Sequence, residues 1–243
     1  MINCTEDAFL NGRIKIFQSN TGYRFSIDSI ILAAHIKIKA RERLVDLGTG
    51  CGIIPIILAY RHPGIEIIGV EIQPELAAFA RQNVLYNSMS HQISIIETDM
   101  KRLDSNGVGG AVDVVISNPP YRRSGSGRIN PNLQKAVARH ELHIDLAQLI
   151  ATAAKLLRPG GMIVAIYPVE RLTDLICTMR DACLEPQWLR SIHSYQGSPA
   201  KWAIVQGIKG IKGRRTALRV LEPLIIYHRD GRYTSNIEEM MKP

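Results

Sequence analysis

Leu44-Val45-Asp46-Leu47-Gly48-Thr49-Gly50-Cys51-Gly52 is the stretch on which the reading of this chain turns. The aliphatic run Leu44 to Leu47 reads as a buried strand, it stops at three alternating glycines, and a helical pattern runs from Ile53 to Arg61. Strand, glycine turn and helix in that order put backbone without side chains at the carboxyl end of a strand, where a ligand must approach closely.

The same rhythm continues downstream. Strands are expected at Glu66 to Glu71, Gln92 to Glu97, Val112 to Ser117 and Met162 to Tyr167, and helices at Pro74 to Asn87 and Asp145 to Leu157. Such alternation predicts an α/β fold, a mostly parallel sheet with helices on both faces. Arg158-Pro159-Gly160-Gly161 reads as a sharp turn ending the second of these helices. After a helix around Val169 to Cys183, extended segments at Trp188 to His193, Trp202 to Gln206 and Leu218 to Tyr227 follow without helices between them and are expected to be antiparallel. Upstream, Ile27 to Ile36 reads as a helix whose first free N–H is capped by the Ser26 hydroxyl. The chain divides as one domain: an N-terminal helical cap extension over 1–40, a catalytic core over 41–208, and a basic loop with a C-terminal strand extension over 209–243. Arg122 to Asn132 and Lys209 to Arg215, rich in glycine and cations, are expected to be mobile.

Composition bounds the partners. The 243 residues carry 30 Lys and Arg against 22 Asp and Glu, a net charge of +8, which favours polyanions. Cys4, Cys51, Cys177 and Cys183 form no Cys-x-x-Cys pair, so neither a disulfide framework nor a zinc site is indicated and a reducing cytoplasm fits. Cys51 reads as a packing residue. His140-Glu141-Leu142-His143 lacks the i, i+4 spacing of a helical zinc pair, and no metal is expected. No uncharged run approaches the roughly 18 residues of a membrane span.

Glu71 lies 21 residues beyond Gly50 at a predicted strand end, where a carboxylate can accept from both hydroxyls of a ribose. The glycines are spaced G-x-G-x-G, whereas a pyrophosphate-binding turn spaces them G-x-G-x-x-G. Asp46 directly before the turn would repel a pyrophosphate and suits a cationic ligand. Spacing and charge therefore favour S-adenosylmethionine over nicotinamide. Asp99, after the strand ending at Glu97, can accept from an adenine amino group, or else simply cap a helix; Met100 can pack on the ring.

Val112 to Ser117 runs straight into Asn118-Pro119-Pro120-Tyr121, at the carboxyl end of the strand and beside the glycine turn. A conjugated exocyclic amine is a poor nucleophile, and acceptors for its two protons favour a localised lone pair. Asn118 Oδ1 and the Pro119 carbonyl can be those acceptors. Pro119 and Pro120 fix φ and limit the loop's freedom, and Tyr121 offers a flat face for an unstacked base. The tetrapeptide is thus the expected catalytic loop.

These residues resemble the class I methyltransferases that modify amino nitrogens of adenine, cytosine or glutamine, over roughly Arg43 to Tyr167. Gly22-Tyr23-Arg24-Phe25-Ser26-Ile27-Asp28-Ser29, the Gly127 to Pro131 run and Ala138-Arg139-His140-Glu141 make the chain similar to the tRNA1(Val) adenine-37 N6-methyltransferase subgroup. The resemblance implies a Rossmann-like, seven-stranded sheet. It implies a cofactor set of Tyr23, Arg24, Phe25, Asp28, Asp46, Gly48, Thr49, Gly50, Gly52, Glu71, Ile72, Asp99, Met100 and Asn118. It also implies that the Tyr23 to Asp28 stretch closes over the methionine end.

Arg122, Arg123 and Arg128 can clamp phosphates beside Tyr121, and Lys209, Lys212, Arg214, Arg215 and Arg219 form a second basic run. Either group can also be solvated surface, the second run as readily as an RNA contact; the resemblance points to tRNA or another structured RNA, and a monomer is expected, with an oligomer left open. Three other readings stay open: methylation of a protein glutamine, a noncatalytic RNA-binding module, and a nicotinamide oxidoreductase. The four catalytic residues alone do not separate adenine from glutamine.

Overall fold

A computed structural model of the chain describes residues 4–19, 25–119, 146–210 and 216–243. The chain opens on a hairpin of β1 (Cys4–Phe9) and β2 (Ile14–Ser19), an element absent from the sequence reading of this region. Its turn holds Leu10, Asn11 and Gly12 at positive φ. Helix α1 (Ile27–His35) follows. Ser26 is its N-cap, but the hydroxyl does not cap the helix as expected: it donates to Asp28 Oδ1, and that same carboxylate oxygen accepts from Ser29 N at 3.1 Å. The Asp28 carboxyl has taken the place of the hydroxyl as acceptor.

Alternating elements then follow: β3 (Arg43–Leu47), α2 (Ile53–Arg61), β4 (Glu66–Glu71), α3 (Pro74–Tyr86), β5 (Ile93–Glu97), β6 (Val112–Ser117), α4 (Leu146–Leu156), β7 (Leu157–Pro168), α5 (Leu172–Asp181), β8 (Leu184–Tyr195) and β9 (Ala200–Lys209). Two short strands, β10 (Arg219–Val220) and β11 (Leu224–Tyr227), and helix α6 (Ser235–Met240) complete the chain.

The sheet runs β10-β8-β9-β7-β6-β3-β4-β5, with β11 also on β8. Seven of these strands form the expected mostly parallel sheet, and the short β10 and β11 extend its edge. Strand β9 is antiparallel to β8, as the tight turn between them requires, and to β7 on its other side. The expectation of antiparallel pairing fails for β10 and β11, which run parallel to β8. The reason is geometric: β9 returns the chain to the sheet edge where β8 begins, so a strand added beside β8 starts there too.

β7 also begins earlier than expected. Val112 pairs with Leu157 and Val114 with Met162, so Arg158 to Gly161 bulge out between two pairs. The sharp turn is present, with Gly160 at φ +75, but it lies inside the strand pairing. A Cβ on Gly161 would stand 3.0 Å from the Arg158 and Asp113 carbonyls, so any side chain there would force the backbone to give by a few tenths of an ångström.

Central β3 is buried on both faces, as an inner parallel strand must be, which is why it reads as a continuous apolar run. One face packs α1, α2 and the hairpin through residues such as Ile31, Ile57 and Ile16. The other packs α4 and α5 through Leu149, Ile150, Leu175 and Met179. Leu47 pairs with Val70 on one side and Ser117 on the other, so the carboxyl ends of β3, β4 and β6 open side by side. No helix among the described residues is long and apolar enough to cross a membrane.

Candidate active site

The glycine turn leaves β3 with Gly48 at φ +79, Gly50 at +59 and Gly52 at +83. The alternate glycines are therefore demanded by left-handed backbone as well as by access. The turn is bonded down onto β4: Gly48 N and Thr49 N both donate to Val70 O at 2.9 and 3.0 Å, and Gly50 N donates to Glu71 Oε2 at 2.9 Å. Glu71 Oε1 accepts from Gln73 N at 2.9 Å. One buried carboxylate thus joins the glycine turn to the end of the neighbouring strand. Burial pushes its pKa up, against the pull of the Gln73 and Gly50 amides. A carboxylate has about four acceptor positions, so these two bonds leave capacity for hydroxyl donors.

Asp46 is wholly buried at the last turn-facing position of β3, and neither carboxylate oxygen has a hydrogen-bond partner among the described residues; nor has Thr49 Oγ1. Burial pushes the Asp46 carboxyl up to about 7; the adjacent Thr49 hydroxyl, near it but not in hydrogen-bonding geometry, pulls the other way, and the Glu71 charge adds to the rise. An unpartnered buried carboxylate is costly unless something donates to it. A ligand bearing a cation and N–H donors satisfies that demand, and a pyrophosphate would aggravate it. These acceptors fit an amino acid's ammonium beside a ribose.

Asn118 leaves β6 next to this turn. Ser117 Oγ donates to Leu47 O at 3.0 Å, locking the ends of β6 and β3 together. The Asn118 amide is buried, and Nδ2 donates to Asp28 Oδ2 at 3.2 Å and to Ser29 Oγ at 3.0 Å. With both amide protons directed to α1, Oδ1 is held on the opposite side of the side chain.

A methyltransferase small domain model matches residues 22–173, which spans the glycine turn, Glu71 and Asn118. The chain belongs to that methyltransferase family. A tRNA1(Val) (adenine(37)-N6)-methyltransferase of Porphyromonas gingivalis is 34% identical over 175 residues, covering 70% of this chain and 68% of that protein. One from Aeromonas hydrophila is 25% identical over 217 residues, 89% of this chain and 87% of its own. Among solved structures, a predicted O-methyltransferase from Agrobacterium tumefaciens superposes with TM-score 0.67 at 22% identity, over 87% of this chain and 94% of that one. A Pyrococcus furiosus methyltransferase gives TM-score 0.57 at 18% identity, over 82% and 90%. At those identities the structures speak to the fold.

In this methyltransferase the remaining expected site residues are placed unevenly. Phe25 N donates to Gln18 Oε1 at 3.0 Å, and its ring sits 4.9 Å from that of Phe9, so the hairpin holds the start of α1. Ile72, 49% exposed, follows Glu71 at the rim. Asp99 caps the short turn Met100–Arg102, accepting from Lys101 N at 3.0 Å, and Met100 packs half-buried on the α4 side. The helix-cap reading of Asp99 is therefore realised at one of its oxygens.

Lys209 lies apart from the site. Because β9 is antiparallel, its last residue stands at the edge where β8 begins, opposite the edge that carries Asn118, and Nζ donates to Leu157 O at 2.6 Å. Tyr23, Arg24, Pro120, Tyr121, Arg122, Arg123, Arg128, Lys212, Arg214 and Arg215 lie outside the described residues, as do His140 and His143. Two residues central to the site went unremarked in the sequence. Asn83, wholly buried on α3, donates from Nδ2 to Cys51 O at 2.9 Å and to Phe17 O at 3.0 Å, and accepts from Phe17 N at 2.8 Å. It stitches hairpin to glycine turn. Gly69 faces Thr49 so closely that a Cβ would stand 3.0 Å from its side chain. A polar residue within an amphipathic helix and a glycine within a strand were the available signals.

Proposed function

We propose that the chain transfers a methyl group from S-adenosylmethionine to the N6 amine of an adenine in tRNA, in the cytoplasm. The observation that carries this is the Asn118 amide, buried at the carboxyl edge and oriented by Asp28 and Ser29. Both relatives named above are tRNA1(Val) (adenine(37)-N6)-methyltransferases, which supports adenine-37 of such a tRNA as the target.

Glu71 would hold the ribose hydroxyls, Asp46 and Thr49 the methionine ammonium, with Asp99, Met100 and Ile72 about the adenine ring. The bound donor supplies an electrophilic methyl on a sulfonium. Asn118 Oδ1 and the Pro119 carbonyl accept from the two protons of the target amine, which localises its lone pair. Asp28 keeps the amide from rotating, so the acceptor is in place before substrate arrives. The extra proton of the methylated amine leaves to water.

The test is incubation of the purified protein with labelled S-adenosylmethionine and tRNA from a strain lacking the gene, followed by nucleoside analysis. Label in N6-methyladenosine is expected. Unlabelled tRNA with label on protein glutamine in the same extract would overturn it.

A further inference from the structure

β8 is parallel to β7 and β6, because β9 between β7 and β8 is antiparallel to both, and β11 is parallel to β8. Tyr195 and Tyr227, the last residues of β8 and β11, therefore leave the sheet at the same edge as Asn118. They are register partners with ring centroids 5.7 Å apart, and Tyr227 stacks on Tyr233 at 5.3 Å with only 19° between planes. Tyr227 and Tyr233 lean on the core, whereas Tyr195 is 44% exposed. The result is a row of three rings, the outer one tilted 38° to its neighbour, anchored at one end and ending in solvent.

The backbone at the exposed end is pinned by its turn. In the β8–β9 turn, Tyr195 N donates to Ser198 Oγ at 3.1 Å and Ser198 N to Tyr195 O at 3.1 Å, while His193 Nδ1 lies 2.6 Å from Ser198 O. Two cations share this end of the sheet. Lys201 opens β9 on this edge, close enough for its charge to act on Tyr227, and Arg229 is exposed just past β11. Across the register Ser117, Ala165, Val205, Leu189, Tyr195 stands five residues further out than Asn118 and three strands aside. At ordinary strand dimensions that is roughly 20–25 Å.

We propose that this row of rings is a second RNA-binding surface, on which an unpaired base several nucleotides from the target adenine stacks against Tyr195 while Lys201 meets a phosphate. It rests on the RNA reading given above. Unpaired RNA is held by aromatic faces interleaved with cations, and a ring on a pinned backbone loses little freedom on accepting a base. The chain's net charge of +8 matches a polyanion. Because the surface lies on that edge but roughly 20–25 Å from Asn118, it acts on RNA affinity and leaves cofactor binding alone.

The experiment measures anisotropy of a labelled, unmodified tRNA transcript with wild type, Tyr195→Ala, Tyr195→Phe and Lys201→Ala. S-adenosylmethionine affinity, melting temperature and methyl transfer are read alongside. Tyr195→Ala is expected to weaken tRNA binding about 5- to 100-fold, with Tyr195→Phe within about twofold of wild type. Lys201→Ala should lower the slope of log affinity against log salt by about one. Cofactor affinity and melting temperature should hold in all three. A wild type that methylates the transcript while Tyr195→Ala binds it within about twofold of normal overturns the surface and leaves the proposed function standing. Equal losses in Tyr195→Phe and Tyr195→Ala overturn stacking. A wild type that neither binds nor methylates tRNA overturns both.

Discussion

Asn118 and Asp28, 90 residues apart, meet where Asn118 Nδ2 donates to Asp28 Oδ2 at 3.2 Å. The bond fixes which way the amide faces. Asn118→Ala is expected to keep S-adenosylmethionine affinity within a few-fold and lose at least about two orders of magnitude in single-turnover rate. Asn118→Asp sets two buried carboxylates against each other and should lower the melting temperature, which the added Asp28→Asn restores by returning a donor to the pair. Unchanged melting of Asn118→Asp would mean that the two side chains do not meet.

Asp46 makes the protein's behaviour depend on pH. Its folded-state pKa, pushed up to about 7 by burial, lies above the roughly 3.9 of the unfolded chain. A raised pKa contributes stability that is full below the unfolded value and is lost as pH rises through the folded one. Without ligand, stability should therefore decline from about pH 4 to about pH 7, and Asp46→Asn should flatten that part of the curve. A cationic ligand feels the opposite trend: S-adenosylmethionine affinity should strengthen up to about tenfold per pH unit towards pH 7, then level off. Unfolding in denaturant across pH checks the first and titration calorimetry the second; a flat affinity profile would separate Asp46 from the ligand's cation.

Asn83→Ala removes a wholly buried side chain that bonds Phe17 N, Phe17 O and Cys51 O. A loss of about 2–4 kcal/mol is expected from denaturant unfolding, together with faster hydrogen exchange at Phe17 N. Asn87→Ala, one turn on, breaks similar bonds to Lys15 N and O but at a half-buried position that water can reach, and should cost less.

Gly69→Ala forces the Thr49 side chain away, since the Ile95 methyl at 2.8 Å can swing aside but Thr49 belongs to the turn. The variant should fold and bind S-adenosylmethionine about tenfold more weakly or worse. Gly107→Ala, whose Cβ would meet nothing closer than 3.6 Å, is the control and should bind normally.

Much of this protein follows from sequence alone. The aliphatic runs of β3 and β6, the alternating glycines, Glu71 at its fixed spacing and Asn118 at a strand end are each visible because one local rule, periodicity or backbone conformation, dictates them. The hairpin was not visible, since its edge strands are short and half polar and their pairing is a tertiary choice. Nor was the partner of Asn118. Which acceptor takes an amide proton, whether β11 runs with or against β8, and that Lys209 faces away while Lys201 shares the edge of Asn118 are all set by chain direction and register. Those are relations between segments distant in sequence, and burial of the two apolar faces of the sheet, a property of the whole chain, is what selects them.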